Sequence, residues 1–239
     1  MLSEIISAGC RGARAGLAAI LILAGTAVAA QAAGGSVAAA GCRASGQPVE
    51  VEMVVDEGTV VLDRSHDKLA LTTRFHGDAS RMTTGGWTTV GLTESSLQVR
   101  TATRTATWSA PGGGYCAELQ AVRVDVGYPE LRVYIPAEYR PGSCAHETVH
   151  AHELEHVDIT RAVLKAHAPR LEAAVERSAA TLNPMWAPSL EQAKALASAR
   201  IQAALKAPMD ALRSEHGLRN AAIDTAHNYD DLQSRCPAW

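Results

Sequence analysis

Four of the nine histidines fall within the thirteen residues Cys144-Ala145-His146-Glu147-Thr148-Val149-His150-Ala151-His152-Glu153-Leu154-Glu155-His156. The last five residues spell H-E-x-x-H, the ligand pattern of zinc hydrolases. On a helix, residues i and i+4 stand one turn apart on the same face, so the imidazoles of His152 and His156 converge on one Zn2+ ion. Glu153 follows His152 by one residue. Its carboxylate is then held beside the metal, where it can take a proton from a water that the metal activates. The chemistry this predicts is hydrolysis, with His152 and His156 as ligands and Glu153 as general base.

A second copy, His146-Glu147-Thr148-Val149-His150, begins six residues earlier. At ~100° per residue its histidines lie on a stripe turned by roughly 120° from that of His152 and His156, so the two copies do not serve one metal. His152 and His156 share their stripe with Val149, Ile159 and Val163, the face that packs inward. His146 sits near the helix start beside Cys144, and the second copy is therefore the better site. Glu155 lies roughly 200° around the helix from Glu153 and is expected in solvent.

Catalytic zinc takes three protein ligands and a water, and the third ligand is open. The long metzincin pattern needs Gly at 159 and His at 162, where this chain has Ile159 and Ala162. His167 lies roughly 16 Å beyond His156 along a straight helix, too far to reach. Glu172 and Glu176 return to the metal only if the chain bends at Pro169. Asp224 or His227 can arrive from the segment Ile223-Asp224-Thr225-Ala226-His227-Asn228-Tyr229.

Around this stretch the sequence places antiparallel strands before it and helices after it, an α+β layout. Val49 to Val55 and Thr59 to Leu62 alternate about a turn at Asp56-Glu57-Gly58. Lys68 to Phe75 and Leu97 to Trp108 are rich in Thr, Val and Leu and also read as strands. Gly85-Gly86-Trp87 and Gly91-Leu92-Thr93 read as turns, and His66 and His76 as surface histidines. Val122, Val124 and Val126 alternate up to Gly127-Tyr128-Pro129-Glu130, and Leu131, Val133 and Ile135 alternate after it, so an antiparallel hairpin is expected there. Folding it brings Cys116 near residues 141–144. That proposes a disulfide from Cys116 to Cys144 and leaves Cys42 for Cys236.

The metal helix is expected from about Ala145 to about Ala166, where Pro169 interrupts it, with a shorter or kinked helix over Arg170 to Leu182. Ser189 and Gln192 form a capping box. Ala193, Leu196, Ala197, Ile201, Ala204, Leu205 and Leu212 then give one apolar stripe, interrupted at Pro208. Arg200 lies on that stripe and must snorkel outward.

Arg11 and Arg14 precede an apolar run from Ala15 to Ala30, with small residues at Ala30-Gln31-Ala32, the layout of a secretory signal peptide cut near Ala32 or Ala33. The organisation expected is a signal over 1–33, a linker over 34–47, a strand-and-metal-helix domain over 48–182, and a helical segment over 183–239 packed on it. Cys10 leaves with the signal. The even set Cys42, Cys116, Cys144 and Cys236 then reads as two disulfides in a secreted or periplasmic protein. Losing Glu4, Arg11 and Arg14 takes the formal charge from −3 to −4, which argues against a nucleic-acid partner. Membrane contact is expected only through the signal segment if it stays uncut.

With these residues in place, the chain resembles the predicted secreted zinc-dependent proteases of bacteria. The resemblance lies in Val133-Tyr134-Ile135-Pro136-Ala137-Glu138-Tyr139, in Pro141-Gly142-Ser143-Cys144, and in His152-Glu153-Leu154-Glu155-His156-Val157-Asp158-Ile159. It implies a zincin-like domain with His152 and His156 as zinc ligands and Glu153 as base, acting on a peptide or protein substrate. The family pattern sets the metal motif eight residues after the cysteine, which matches His152 and not His146. The other functions considered are a non-catalytic exported zinc-binding or partner-binding envelope protein, and a structural envelope protein whose histidines are incidental.

Overall fold

A computed structural model describes residues 41–76, 91–181 and 183–239. The expected signal segment with Arg11 and Arg14, the cut near Ala32, the first half of the 34–47 linker, the turn at Gly85-Gly86-Trp87 and the side chain of His76 lie outside the described residues. By its internal contacts the chain divides into 1–34 and 35–239, and the second unit carries every element described below. In order these are β1 (Glu50–Asp56), β2 (Thr59–Asp63), α1 (Lys68–His76), β3 (Leu92–Ser95), β4 (Gln98–Ser109), β5 (Tyr115–Gly127), β6 (Glu130–Tyr134), α2 (Cys144–Thr181), β7 (Met185–Ala187), α3 (Leu190–Ile223) and α4 (Ala226–Ser234). The class is α+β, as the sequence layout implies.

One sheet has the order β1-β5-β4, with β7 beside the first residues of β5, and the other has the order β2-β6-β3. β1 pairs with β5 and β2 with β6, both in parallel, and the register is continuous: Asp56 faces Gly127 and Thr59 faces Glu130, the same offset on both sides of the break. β4 and β3 run antiparallel to β5 and β6. The two sheets are therefore successive stretches of the same three chain segments, and they are mixed where the sequence suggested antiparallel pairing alone.

The hairpin expected at Gly127-Tyr128-Pro129-Glu130 does not form. Tyr128 donates its N–H to the Asp56 carbonyl at 2.9 Å, and Thr59 donates to Pro129 at 3.3 Å. Residues at the break thus bond across to the neighbouring segment and not to each other. Gly58 turns that neighbour with φ at +80°, and a Cβ there would run into the Tyr128 carbonyl oxygen. The break shifts the apolar alternation from Val122, Val124 and Val126 to Leu131 and Val133, which imitates a chain reversal in the sequence. The true hairpin is one element earlier, between β4 and β5, closed by Ala110 N–H to Gly114 and Gly113 N–H to Ala110, each 3.0 Å.

This overturns the expected disulfides. The bridges are Cys42–Cys116 and Cys144–Cys236, with Cα separations of 5.6 and 5.7 Å. Without a reversal, the chain travels the lengths of β5 and β6 between Cys116 and Cys144, which leaves them at opposite ends of that path. Cys116 instead meets Cys42 under Trp108 and Trp186.

Three helices also depart from expectation. Residues Lys68 to Phe75 form α1 and not a strand, because Asp67 accepts the Ala70 N–H at 2.7 Å and starts a helix. That cap outweighs the weak β preference of Thr72 and Thr73. α2 runs unbroken through Pro169 to Thr181, and α3 runs through Pro208 to Ile223. A proline inside a helix costs about 3 kcal/mol. Full burial of Leu164, Leu171 and Val175 in the core shared with α3, at about 1.5–3 kcal/mol per side chain, outweighs it. His167, buried one turn before Leu171, lies 2.8 Å from the Glu215 carboxylate of α3 and fixes the crossing. α3 begins as expected, with Ser189 accepting the Gln192 N–H, and Arg200 is exposed. Among the described residues no helix is long and apolar enough to cross a membrane.

Candidate metal centre

α2 places His152, Glu153 and His156 on its buried side, at 6, 3 and 9% exposure. Burying three ionisable groups within five residues is costly unless they are paired or ligate a metal. Val149 and Val163 are buried on the same stripe, while Glu155 and Glu147 face solvent, as helical spacing predicts.

The partner that these histidines meet comes from the other end of the fold. α3 stops at Ile223 and Asp224 is its C-cap, with φ −92° and ψ 48° and its N–H bonded to Asn220. Thr225 caps α4 by accepting the Asn228 N–H, and the Asn228 side-chain amide donates to the Ile223 carbonyl at 3.0 Å. This tight helix-to-helix turn aims the Asp224 carboxylate at α2. Its Oδ1 lies 3.3 Å from His152 Nε2 and 3.1 Å from His156 Nε2, and Tyr229 donates its hydroxyl to the same oxygen at 3.0 Å.

Ligands at ~2.0–2.1 Å around a tetrahedral Zn2+ stand roughly 3.3 Å apart. The nitrogen-to-oxygen separations here are of that size, and the ligand atoms of all three residues lie within 4.8 Å of one another. A two-imidazole, one-carboxylate set of this spacing fits a divalent metal and leaves positions open for water and substrate. Among the described residues no other three such side chains come together.

The charges of the metal-free centre agree with that fit. Burial lowers the His156 pKa, but the hydrogen bond and charge of Asp224, with help from Glu153 and Asn220, raise it to about 9. Burial works to raise Asp224, yet the bonds from His152 and His156 and the His156 charge hold it well below the usual carboxylate range. The centre therefore already stabilises positive charge.

Glu153 stands beside this group. Burial pushes its carboxyl up, against the opposing pull of His156, a hydrogen bond from Thr93 and His152. Thr93 on β3 donates its hydroxyl to Glu153 Oε2 at 2.8 Å. Gly91, just before β3, lies so close that a Cβ there would stand 2.5 Å from Glu153 Oε1 and 2.6 Å from Val149 Cγ1. A cleft of about 210 Å3 opens between β3 and the α3–α4 turn, with Thr93, Glu153, His156, Asp224 and Tyr229 on its walls.

The other third-ligand candidates stay away from the centre. Glu172 is half-buried and Glu176 exposed, both far along the continuous α2, and Glu176 borders a groove beside Val49 and Asn183. His227 is exposed on α4. His146 and His150 face each other with ring centroids 5.9 Å apart, and Glu147 lies 3.1 Å from His146 Nδ1, but among the described residues these do not come together as a three-ligand group. Sequence reasoning missed Gly91, Thr93, Asn220 and Tyr229. A signal did exist for Asn220, which with His216 and Asp224 repeats every four residues, but it depends on carrying α3 past Pro208.

No family model, no curated protein and no solved structure matches the chain.

Proposed function

We propose that the protein is an exported zinc-dependent metallopeptidase with a zincin-like site, in which His152, His156 and Asp224 hold the metal and Glu153 is the general base. One observation carries this: a buried carboxylate with a raised pKa adjoins a two-histidine, one-aspartate set and shares a cleft with His156 and Asp224 of that set. Zinc would supply Lewis acidity, lowering the pKa of a water toward ~7 and polarising a carbonyl. Glu153 takes the proton of the attacking water as the new C–O bond forms. When the C–N bond breaks, Glu153 returns that proton to the leaving amine. Thr93 and Gly91 keep the Glu153 carboxylate in place, and Tyr229 keeps Asp224 turned toward the histidines. A base raised by burial suits a group that must both take and release a proton near neutral pH. Two disulfides and the expected signal segment support a secreted or periplasmic location, and a peptide or protein is the substrate this chemistry serves.

The test uses the mature protein, zinc analysis and a broad peptide library. The parent should bind one zinc and cleave peptides, and His152→Ala, His156→Ala or Asp224→Ala should lose the metal. Glu153→Gln should keep the metal while activity falls ~10²–10⁴-fold. A zinc-loaded parent that cleaves no peptide would leave a binding module, and Glu153→Gln with full activity would refute the mechanism.

A further inference from the structure

His156 and Thr160 on α2 face His216 and Asn220 on α3, each pair one helical turn apart, and the four residues are stitched together reciprocally. Thr160 donates its single hydroxyl proton to the His156 carbonyl at 2.8 Å. Its oxygen therefore accepts from His216 Nε2, 2.9 Å away. Asn220 donates from Nδ2 to the His216 carbonyl at 2.9 Å. A carbonyl only accepts, so that bond fixes which end of the Asn220 amide is which. Asn220 Oδ1 is then the atom 2.7 Å from His156 Nδ1. An amide oxygen also only accepts, so His156 must carry its proton on Nδ1.

We propose that Asn220 is the positioning residue of this centre: by accepting a hydrogen bond from His156 Nδ1–H it keeps the proton on Nδ1 and commits Nε2, the atom facing His152 and Asp224, to the metal. The inference rests on the metal-binding half of the reading above and not on the peptidase half. A ligating histidine whose second ring nitrogen is held this way keeps its tautomer and ring direction, and loss of such a partner typically costs ~10–100-fold in metal affinity. Asn220 belongs to the same face of α3 as Asp224, one turn on. One helix thus supplies a ligand and sets the tautomer of another.

The competing idea is that Asn220 merely docks α3 on α2. Thr160→Val separates the two, because it cuts the other arm of the stitch and leaves the contact from Asn220 to His156 intact. Zinc affinity is measured on the mature protein by competition with a chromophoric chelator, and His156 ring nitrogens are followed by 1H–15N correlation in the zinc-loaded state. Asn220→Leu should lower zinc affinity ~10–100-fold and alter the His156 nitrogen signals. Asn220→Asp, which keeps an acceptor facing Nδ1, should stay within about threefold of the parent, as should Thr160→Val. An Asn220→Leu protein that binds zinc like the parent overturns the proposal, and so does a Thr160→Val protein that loses as much. A parent that binds no zinc fails differently, since it removes the centre itself.

Discussion

Gly91→Ala perturbs the proposed base without touching a ligand. The new methyl would stand 2.5 Å from Glu153 Oε1 and 2.6 Å from Val149 Cγ1, where ordinary contact begins near 3.4 Å. Val149 is fully buried, β-branched and fixed on α2, so it yields little. The Glu153 carboxylate is the free end of a longer chain and must give way by about 0.5–0.9 Å. A misplacement near 1 Å at a catalytic group costs about 10²-fold, so kcat should fall about 10–100-fold. Overpacking of this kind also lowers stability by about 1–3 kcal/mol. His152, His156 and Asp224 are not displaced, and zinc affinity should match the parent. The assay pairs peptide turnover with zinc titration and denaturant unfolding. Adding Val149→Ala should relieve part of the strain and leave kcat low, because the contact with Glu153 persists. A Gly91→Ala enzyme with parental turnover would refute the placement of Glu153 as base, and loss of zinc together with activity would refute the claim that ligand and base positions are independent.

Removing either disulfide as a pair of Cys→Ser changes should lower unfolding free energy by a similar amount, because separations of 92 and 74 residues give loop terms of about 4–5 kcal/mol that differ by only about 0.2 kcal/mol. Zinc affinity should distinguish them: Cys144→Ser with Cys236→Ser frees the end of α4 and weakens binding, whereas Cys42→Ser with Cys116→Ser does not; equal zinc loss in both would contradict the geometry. Apparent zinc affinity should fall about tenfold per pH unit below pH 9, because the metal must displace the proton that His156 retains up to about 9. The sign reverses for the metal-free protein: a raised histidine pKa stabilises the fold below the unfolded value of about 6.5 and that contribution is lost as pH rises through 9, so chelated protein should melt lower at pH 9.5 than at pH 6.5. A zinc affinity independent of pH between 6.5 and 8.5 would show that His156 carries no proton there.

The helix that carries His152, Glu153 and His156 was legible because its signal is local: five residues on one turn hold both histidines and the carboxylate, on the buried stripe with Val149 and Val163. Asp224 was visible only as one candidate of four, since its approach depends on how α3 crosses α2. Pro169 and Pro208 misled for one reason, that the local cost of a proline is outweighed by core burial that no window of sequence displays. The turn-like Gly127-Tyr128-Pro129-Glu130 misled for another. Its backbone groups are satisfied by residues 56–59, some seventy positions away, and the false hairpin then produced the false disulfides. Gly91 looked like a turn residue because close approach to a helix leaves no mark in the neighbouring sequence.

The bridges join consecutive cysteines of the expected mature chain, Cys42 with Cys116 and then Cys144 with Cys236. On the export proposed above, sulfurs that pair in order of appearance would be oxidised as the polypeptide emerges from a translocation pore, each cysteine meeting its correct mate as the first free thiol ahead of it. A nested pattern would trap a wrong bond first and require an isomerase to undo it. On that proposal maturation should need an oxidant and no disulfide reshuffling, and the second closure, which follows Asp224 in the chain, should come only after His152, His156 and Asp224 have all crossed.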